Sequence, residues 1–333
     1  MISNKIPCLV IGDGTKGMQS QSIALAKSIG LDYKLIEIRP FWLSRIFPVL
    51  FAGRFSIPLS SNDKILHSYQ SKILLTCGSR MAGISIGLKR YLKKKNTNLF
   101  TIHIQNPKLS MKNFDILVVP EHDNIKGDNI ILSRGSLHEI NEETLKKFHK
   151  KISSITLKNI KNHIVVLVGG NTKNQKVSEY ISNNFVNEIK RIQTIFQSKI
   201  IICPSRRTPN FLINKLIEAR IQNCDVTQET NELENPYPGI MFNSKFILVT
   251  TDSINMLSES TDTGKPVFIF DLFKPRNKKY SYISSLIDNK KLTYSHNIKN
   301  SNINLEISKT FENECDRIGK LIKKKLKVLK IYN

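Results

Sequence analysis

The apolar run Phe246-Ile247-Leu248-Val249, followed by TTDSINMLSESTDTGKPVFIF from Thr250 to Phe270, constrains the fold more than any other stretch. A short continuous apolar run reads as a strand buried on both faces, as in a parallel sheet. Thr250, Thr251, Asp252 and Ser253 then supply small polar side chains and a helix N-cap. The spacing predicts a helix from about Ile254 to Thr263, stopped by Gly264 and Pro266, and a second strand from Val267 to Phe270. Strand, polar turn, helix and strand make a βαβ unit. Its polar turn lies at the carboxyl end of a strand, where open α/β sheets bind ligands, and the free N–H groups of the helix suit an anion.

The pattern recurs along the chain. Strands are expected at Ile6–Ile11, Tyr33–Ile38, Ile73–Thr76, Leu99–Ile104, Ile116–Val119 and Ile130–Leu132, with helices at about Met18–Ile29 and Met81–Lys94. Four of these strands end in polar or charged residues, including Glu121-His122-Asp123. A lysine-rich helix and connector over Asn141 to Asn162 place a domain boundary at about 155. The pattern then restarts with strands at Ile164–Val168 and Lys199–Cys203, helices at about Ser178–Phe196 and Asn210–Ala219, and a last helix over Ile307–Leu329. The expected architecture is α/β, with two doubly wound Rossmann-like domains, residues 1–155 and 156–333, facing a cleft.

Length and charge narrow the function. A chain of 333 residues exceeds the usual size of one core. No apolar run is long enough to span a membrane, and the N-terminus enters a strand without the pattern of a signal peptide. Five cysteines lie without CxxC or zinc-ligand spacing, so no metal is expected and a cytoplasmic setting is inferred. The net charge of +24 favours anionic partners. Zinc-finger spacing, an RNP-like aromatic motif and a helix-turn-helix are all lacking, so nucleic acid is not an expected partner. Two features suit an anionic membrane surface: the aromatic and arginine-rich segment Arg39 to Phe55, with Phe41, Trp42 and Phe47, and the cluster Lys323, Lys324, Lys325, Lys327 and Lys330. The alternative for the first is an irregular segment packed on its own domain.

Candidate site residues follow from the strand ends. Ser205-Arg206-Arg207-Thr208, beside a helix N-terminus, suits a diphosphate, and Gly169-Gly170 and Thr251-Asp252-Ser253 lie on neighbouring strand ends. Glu259, one turn into the following helix, could accept from ribose hydroxyls. In the first half, Gly12-Asp13-Gly14-Thr15-Lys16-Gly17 reads as only part of the dinucleotide fingerprint, with Gly14 and Gly17 letting backbone approach a ligand. Asp13 and His122 are the candidate bases, and His103 within a strand reads as a core residue.

Taken together, the motifs DGTKGMQSQ from Asp13, TCGSR from Thr76, HIQNPKL from His103, FDILVVPEHD from Phe114, GSLHEI from Gly135, PSRRTP from Pro204, ENPYPG from Glu234 and the Thr250–Phe270 stretch resemble the mitochondrial-fission "elongated mitochondria" family. The resemblance runs from about Ile11 to Leu286 and implies a fold similar to GT-B glycosyltransferases. In that architecture the second domain holds a nucleotide sugar and a C-terminal helix crosses back to the first. The resemblance therefore implies a nucleotide-sugar-dependent glycosyltransferase, with the diphosphate on Ser205, Arg206, Thr251 and Ser253, the ribose toward Glu259, and the nucleotide sugar as donor without a further cofactor. The alternative is a non-catalytic, membrane-associated adaptor that keeps the scaffold, as the family's plant fission factor suggests.

Overall fold

The computed structural model describes residues 6–38, 71–152, 159–227, 237–274, 278–288, 292–301 and 313–331. The segment Arg39 to Phe55 lies outside them. The chain forms two compact units, Met1–Glu139 with Glu312–Asn333, and Ile140–Phe311.

The first unit is a six-stranded sheet of β1 (Pro7–Gly12), β2 (Asp32–Glu37), β3 (Ile73–Cys77), β4 (Phe100–Ile104), β5 (Ile116–Pro120) and β6 (Ile130–Ser133) in the order β2-β1-β3-β4-β5-β6. Every pairing is parallel. Helices α1 (Lys16–Ile29) and α2 (Ser79–Lys94) follow β1 and β3. Strand order reverses direction between β1 and β3, so the turns after these two strands flank the switch point.

The second unit restarts after α3 (Glu142–Lys150) with β7 (His163–Val168), α4 (Glu179–Phe196), β8 (Ile200–Pro204), α5 (Asn210–Glu218), β9 (Cys224–Val226), α6 (Tyr237–Met241), β10 (Ser244–Thr250), α7 (Ile254–Thr261), β11 (Val267–Phe270), α8 (Lys278–Asp288) and β12 (Thr293–Tyr294). The order β12-β11-β10-β7-β8-β9 is again wholly parallel. Read from β9, this is the 3-2-1-4-5-6 order of dinucleotide-binding sheets, with its switch point between β7 and β10. One face packs on Phe185, Ile189 and Leu212, the other on Ile240, Leu257 and Ile283, which makes the sheet doubly wound.

The sequence reading needs correction at the boundary. The division falls at Glu139/Ile140 rather than at about 155, because Ile140, Leu145 and Ile152 carry α3 into the core of the second unit. The lysines of α3 form its solvated side rather than marking a linker. The terminal helix α9 (Glu314–Val328) also belongs to the first unit and not, as the 156–333 division had it, to the second. Ile318, Ile322 and Leu326, at i, i+4 and i+8, are fully buried in the core that holds Leu25 and Ile29. Gly319 lets α9 lie tightly on α1, since a Cβ there would stand 2.2 Å from the Ser28 hydroxyl oxygen.

Candidate functional site

The β7/β10 switch point brings together most of the residues singled out in the second half. At its centre is the Asp252 carboxylate, whose side chain is almost wholly buried. It accepts from the Gly170 N–H at 2.9 Å and from the Thr250 hydroxyl at 2.7 Å, and pairs with the Arg207 guanidinium at 3.0 Å. The Thr250 hydroxyl oxygen in turn accepts from the Gly169 N–H. A Cβ at Gly169 would lie 2.1 Å from that carboxylate, and one at Gly170 would lie 2.0 Å from the Arg207 carbonyl. Both glycines are therefore required by close packing inside the loops, and their N–H groups are already used. Thr208 completes the lock: its hydroxyl donates toward the Val168 and Gly169 carbonyls and accepts from the Ser205 N–H.

These contacts sort the expected phosphate ligands. Asp252 and Arg207 satisfy each other. Thr251 is buried, its hydroxyl donating to Asp271 at 2.6 Å. Burial raises the Asp271 carboxyl, partly offset by that bond and one from Tyr294. Ser205 is engaged within its own turn, its oxygen accepting from the Arg207 N–H. Arg206, by contrast, is exposed and has no ion-pair partner among the described residues. Ser253 occupies the N-cap position of α7 but its side chain makes no capping bond. The N–H groups of Ile254, Asn255 and Met256 likewise lack acceptors among the described residues. An exposed guanidinium and an uncapped helix start are what an anionic ligand can use.

Glu259 lies one turn further along α7. Burial pushes its carboxyl up to about 7, against the opposing effect of a hydrogen bond donated by the Tyr237 hydroxyl. Near neutral pH it is therefore divided between a neutral form that can donate and an ionised form that only accepts.

In the first unit, Gly12, Gly14 and Gly17 stand at the full G-x-G-x-x-G spacing between β1 and α1, which corrects the partial reading above. Gly14 has φ +81°, and a Cβ on it would lie 3.8 Å from the carboxylate of Glu37 at the tip of β2. The loop is unlike a phosphate cradle in its charge. Asp13 accepts from the Thr15 N–H at 3.0 Å, taking one of the loop's own donors, and pairs with Arg80 at 3.1 Å. Burial raises the Asp13 carboxyl, but hydrogen bonds from Thr15 and Arg80 outweigh this and hold it below the usual carboxylate range. Asp13 and Glu37 are thus set against Arg80 and Lys16, and the loop carries no net positive charge for a phosphate. His122 sits in the short turn after β5, at the same carboxyl edge. His103 is fully buried, with one ring nitrogen 2.8 Å from the Thr76 hydroxyl and the Phe114 ring at 4.9 Å. Burial brings it down to about 3, which keeps it neutral and out of acid–base chemistry. Among the described residues no cluster of His, Cys, Asp or Glu is arranged to hold a metal.

Two parallel six-stranded α/β units, each with its polar turns at a switch point, define the GT-B class, and solved structures of that class match the chain over nearly its full length. A proposed UDP-N-acetylglucosamine 2-epimerase from Listeria monocytogenes matches with a TM-score of 0.66 and 11% identity over 99% of this chain and 98% of that one. The UDP-GlcNAc 2-epimerase of Neisseria meningitidis, bound to UDP-GlcNAc, matches with a TM-score of 0.56 and 14% identity over 97% of this chain and all of that one (100%). The chain belongs to the mitochondrial fission ELM1 family, whose model matches residues 16–326. It is similar to an uncharacterised Rickettsia prowazekii protein, RP120, at 27% identity over 96% of this chain and 99% of that protein. It is also similar to the mitochondrial fission protein ELM1 of Arabidopsis thaliana, at 23% identity over 59% of this chain and 51% of that protein. Family and fold are thus those expected from the motifs.

Proposed function

We propose that the second unit binds a nucleotide sugar at the β7/β10 switch point and that the protein transfers the sugar to an acceptor held by the first unit. The observation that carries this reading is the exposed Arg206 after β8 and the uncapped start of α7 after β10, in turns tied to each other by the Arg207–Asp252 pair, on strand ends where doubly wound sheets take their ligands. Arg206, Ser253 and the α7 N–H groups would meet the diphosphate, with Ser205, Thr251 and Asp252 shaping the loops behind them. Glu259 would accept from or donate to the ribose hydroxyls. Cationic side chains and helix ends of this kind stabilise a departing diphosphate. Asp13 and His122 are the candidate bases on the acceptor side, with Gly14 and Gly17 giving the acceptor close access to backbone. Calorimetry with a nucleotide-sugar panel starting from UDP-GlcNAc tests this. A saturable site, weakened about tenfold or more by Arg206→Ala, is expected. Absence of binding by every member to folded protein overturns the reading.

One observation favours a second reading, a non-catalytic adaptor that keeps the scaffold at a membrane. Asp13 is tied to Arg80 and held acidic, which makes it a weak proton acceptor. On this reading a nucleotide sugar binds without turnover. The lysines at 323, 324, 325, 327 and 330 would draw the protein peripherally to anionic lipid, and no helix among the described residues is long and apolar enough to cross a membrane. Flotation with anionic and neutral vesicles separates the two readings from this side: recovery with neither removes the membrane role.

A further inference from the structure

A cavity of about 860 Å³ lies in the first unit between α9 and the edge strand β6. Two long cations span it onto the β6 side: Arg317 donates to the Leu132 carbonyl at 2.7 Å and Lys325 to the Asp128 carbonyl at 3.1 Å. Between these bridges the lining is largely apolar, with Phe100, Ile116 and Ile130 along the sheet. Leu132, Leu321, Val328 and Leu329 line it while 39%, 42%, 76% and 54% exposed. These are four of the ten exposed large apolar side chains among the described residues, gathered in one groove. Clustering of that kind marks a binding surface, and the volume is that of a small-molecule site.

Charge selects the occupant. Of the acids at the groove, Asp115 is paired with Lys89 at 2.6 Å, and Arg317 is balanced by Glu314. Glu121 lines the groove beyond the carboxyl end of β5, and Asp128 lines it where its backbone carbonyl accepts from Lys325. Lys324 lines the groove toward the C-terminal end of α9, Lys323, Lys327 and Lys330 lie on the same stretch of chain outside the lining, and none of the four has a partner among the described residues. The groove is therefore apolar along its length and cationic at one mouth. We propose that it holds the acyl chain of an anionic single-chain lipid, the head group meeting Lys324 and its neighbours. The site is remote in sequence from the nucleotide-binding loops, belongs to the other unit and does not rest on the nucleotide reading. It also differs from vesicle adsorption, because it takes one lipid molecule from solution.

Titration of the full chain with lysophosphatidylglycerol below its micelle concentration tests the proposal, with lysophosphatidylcholine of the same chain length and inorganic phosphate alongside. Saturable one-to-one uptake of the anionic lipid is expected, with the zwitterionic lipid about fivefold weaker per lysine engaged and phosphate not bound. Leu132→Asn and Leu329→Asn change exposed side chains without changing charge, so folding is retained, as far-UV circular dichroism would check. Each should weaken uptake of both lipids about tenfold. Lys324→Glu should weaken only the anionic one. The proposal is overturned by uptake unchanged in both leucine variants, by phosphate binding as well as the lipid, or by no saturable uptake. Concentration-dependent dimerisation without lipid uptake would also overturn it, and would make the groove a contact between copies of the chain.

Discussion

Removing the Asp252 carboxylate leaves a buried Gly170 N–H and a Thr250 hydroxyl without their acceptor, while the half-exposed Arg207 can return to water. Asp252→Ala is therefore expected to destabilise the second unit by about 2–4 kcal/mol. Arg206→Ala, at an exposed side chain, should change stability by less than about 0.5 kcal/mol and act on nucleotide affinity alone. Thermal unfolding of the two variants, set beside calorimetric titration, separates positioning from binding. A stable Asp252→Ala protein would remove Asp252 from the centre of the loop lock. Glu259 gives a pH-dependent counterpart. Its carboxyl is raised from 4.5 to about 7, so the folded state favours the protonated form. Stability from this group is complete below about pH 4.5 and is lost as pH rises through about 7. Glu259→Gln does not titrate and keeps an oxygen for the Tyr237 hydroxyl. Its melting temperature should match that of the parent near pH 4.5 and exceed it at pH 8; equal values at both would show that the carboxyl is not perturbed.

The β7–α4 turn shows how an element can be legible while its side-chain directions are not. Continuous apolar runs bounded by polar residues located β7, β8, β10 and β11 to within a residue or two, because strands buried on both faces have little other composition available. The elements missed were β9, with three residues, β12, with two, and α8, whose apolar stripe of Tyr282, Ile283, Leu286 and Ile287 is interrupted by serines. Within the turns, composition gave the right neighbourhood and not the roles. Small polar residues at a strand end look alike whether they face a ligand or, like Thr251 and Asp252, turn inward to Asp271 and Arg207. That choice is made by residues distant in sequence. Gly170 tests the packing explanation for the glycine pair. Gly170→Ala drives a Cβ onto the Arg207 carbonyl, a backbone atom that cannot swing aside, and overpacking of this kind costs about 1–3 kcal/mol. The cost should appear without any ligand, as a lowered melting temperature together with faster amide exchange at Ser205 to Thr208. A variant as stable as the parent that is impaired only in ligand binding would return Gly170 to the ligand.

At the scale of the whole molecule, two α/β halves are apparent in the residue pattern, whereas the chain's return is implied only by the resemblance to GT-B proteins. A helix with the pattern of α9 can pack on either half, and the choice depends on complementarity with Ser28 and the α1 surface, which only the folded unit presents. That return makes the first unit discontinuous, closed by residues from both ends of the chain. Ile318, Ile322 and Leu326 are fully buried in its core, and full burial of an aliphatic side chain contributes about 1.5–3 kcal/mol each as an upper estimate. The three together approach the whole stability of a typical domain, about 5–15 kcal/mol. Glu314 adds a tie to Arg134, accepting from its backbone N–H at 2.9 Å and its guanidinium at 2.7 Å. Truncation before Asn313 is therefore expected to unfold or loosen the first unit and leave the second folded. Hydrogen exchange reads the two separately: amides of β1 and β3 should lose protection while those of β7 and β10 keep it. Equal loss in both halves would mean that the units fold as one, and protection retained in β1 and β3 would mean that α9 contributes little to the core it fills.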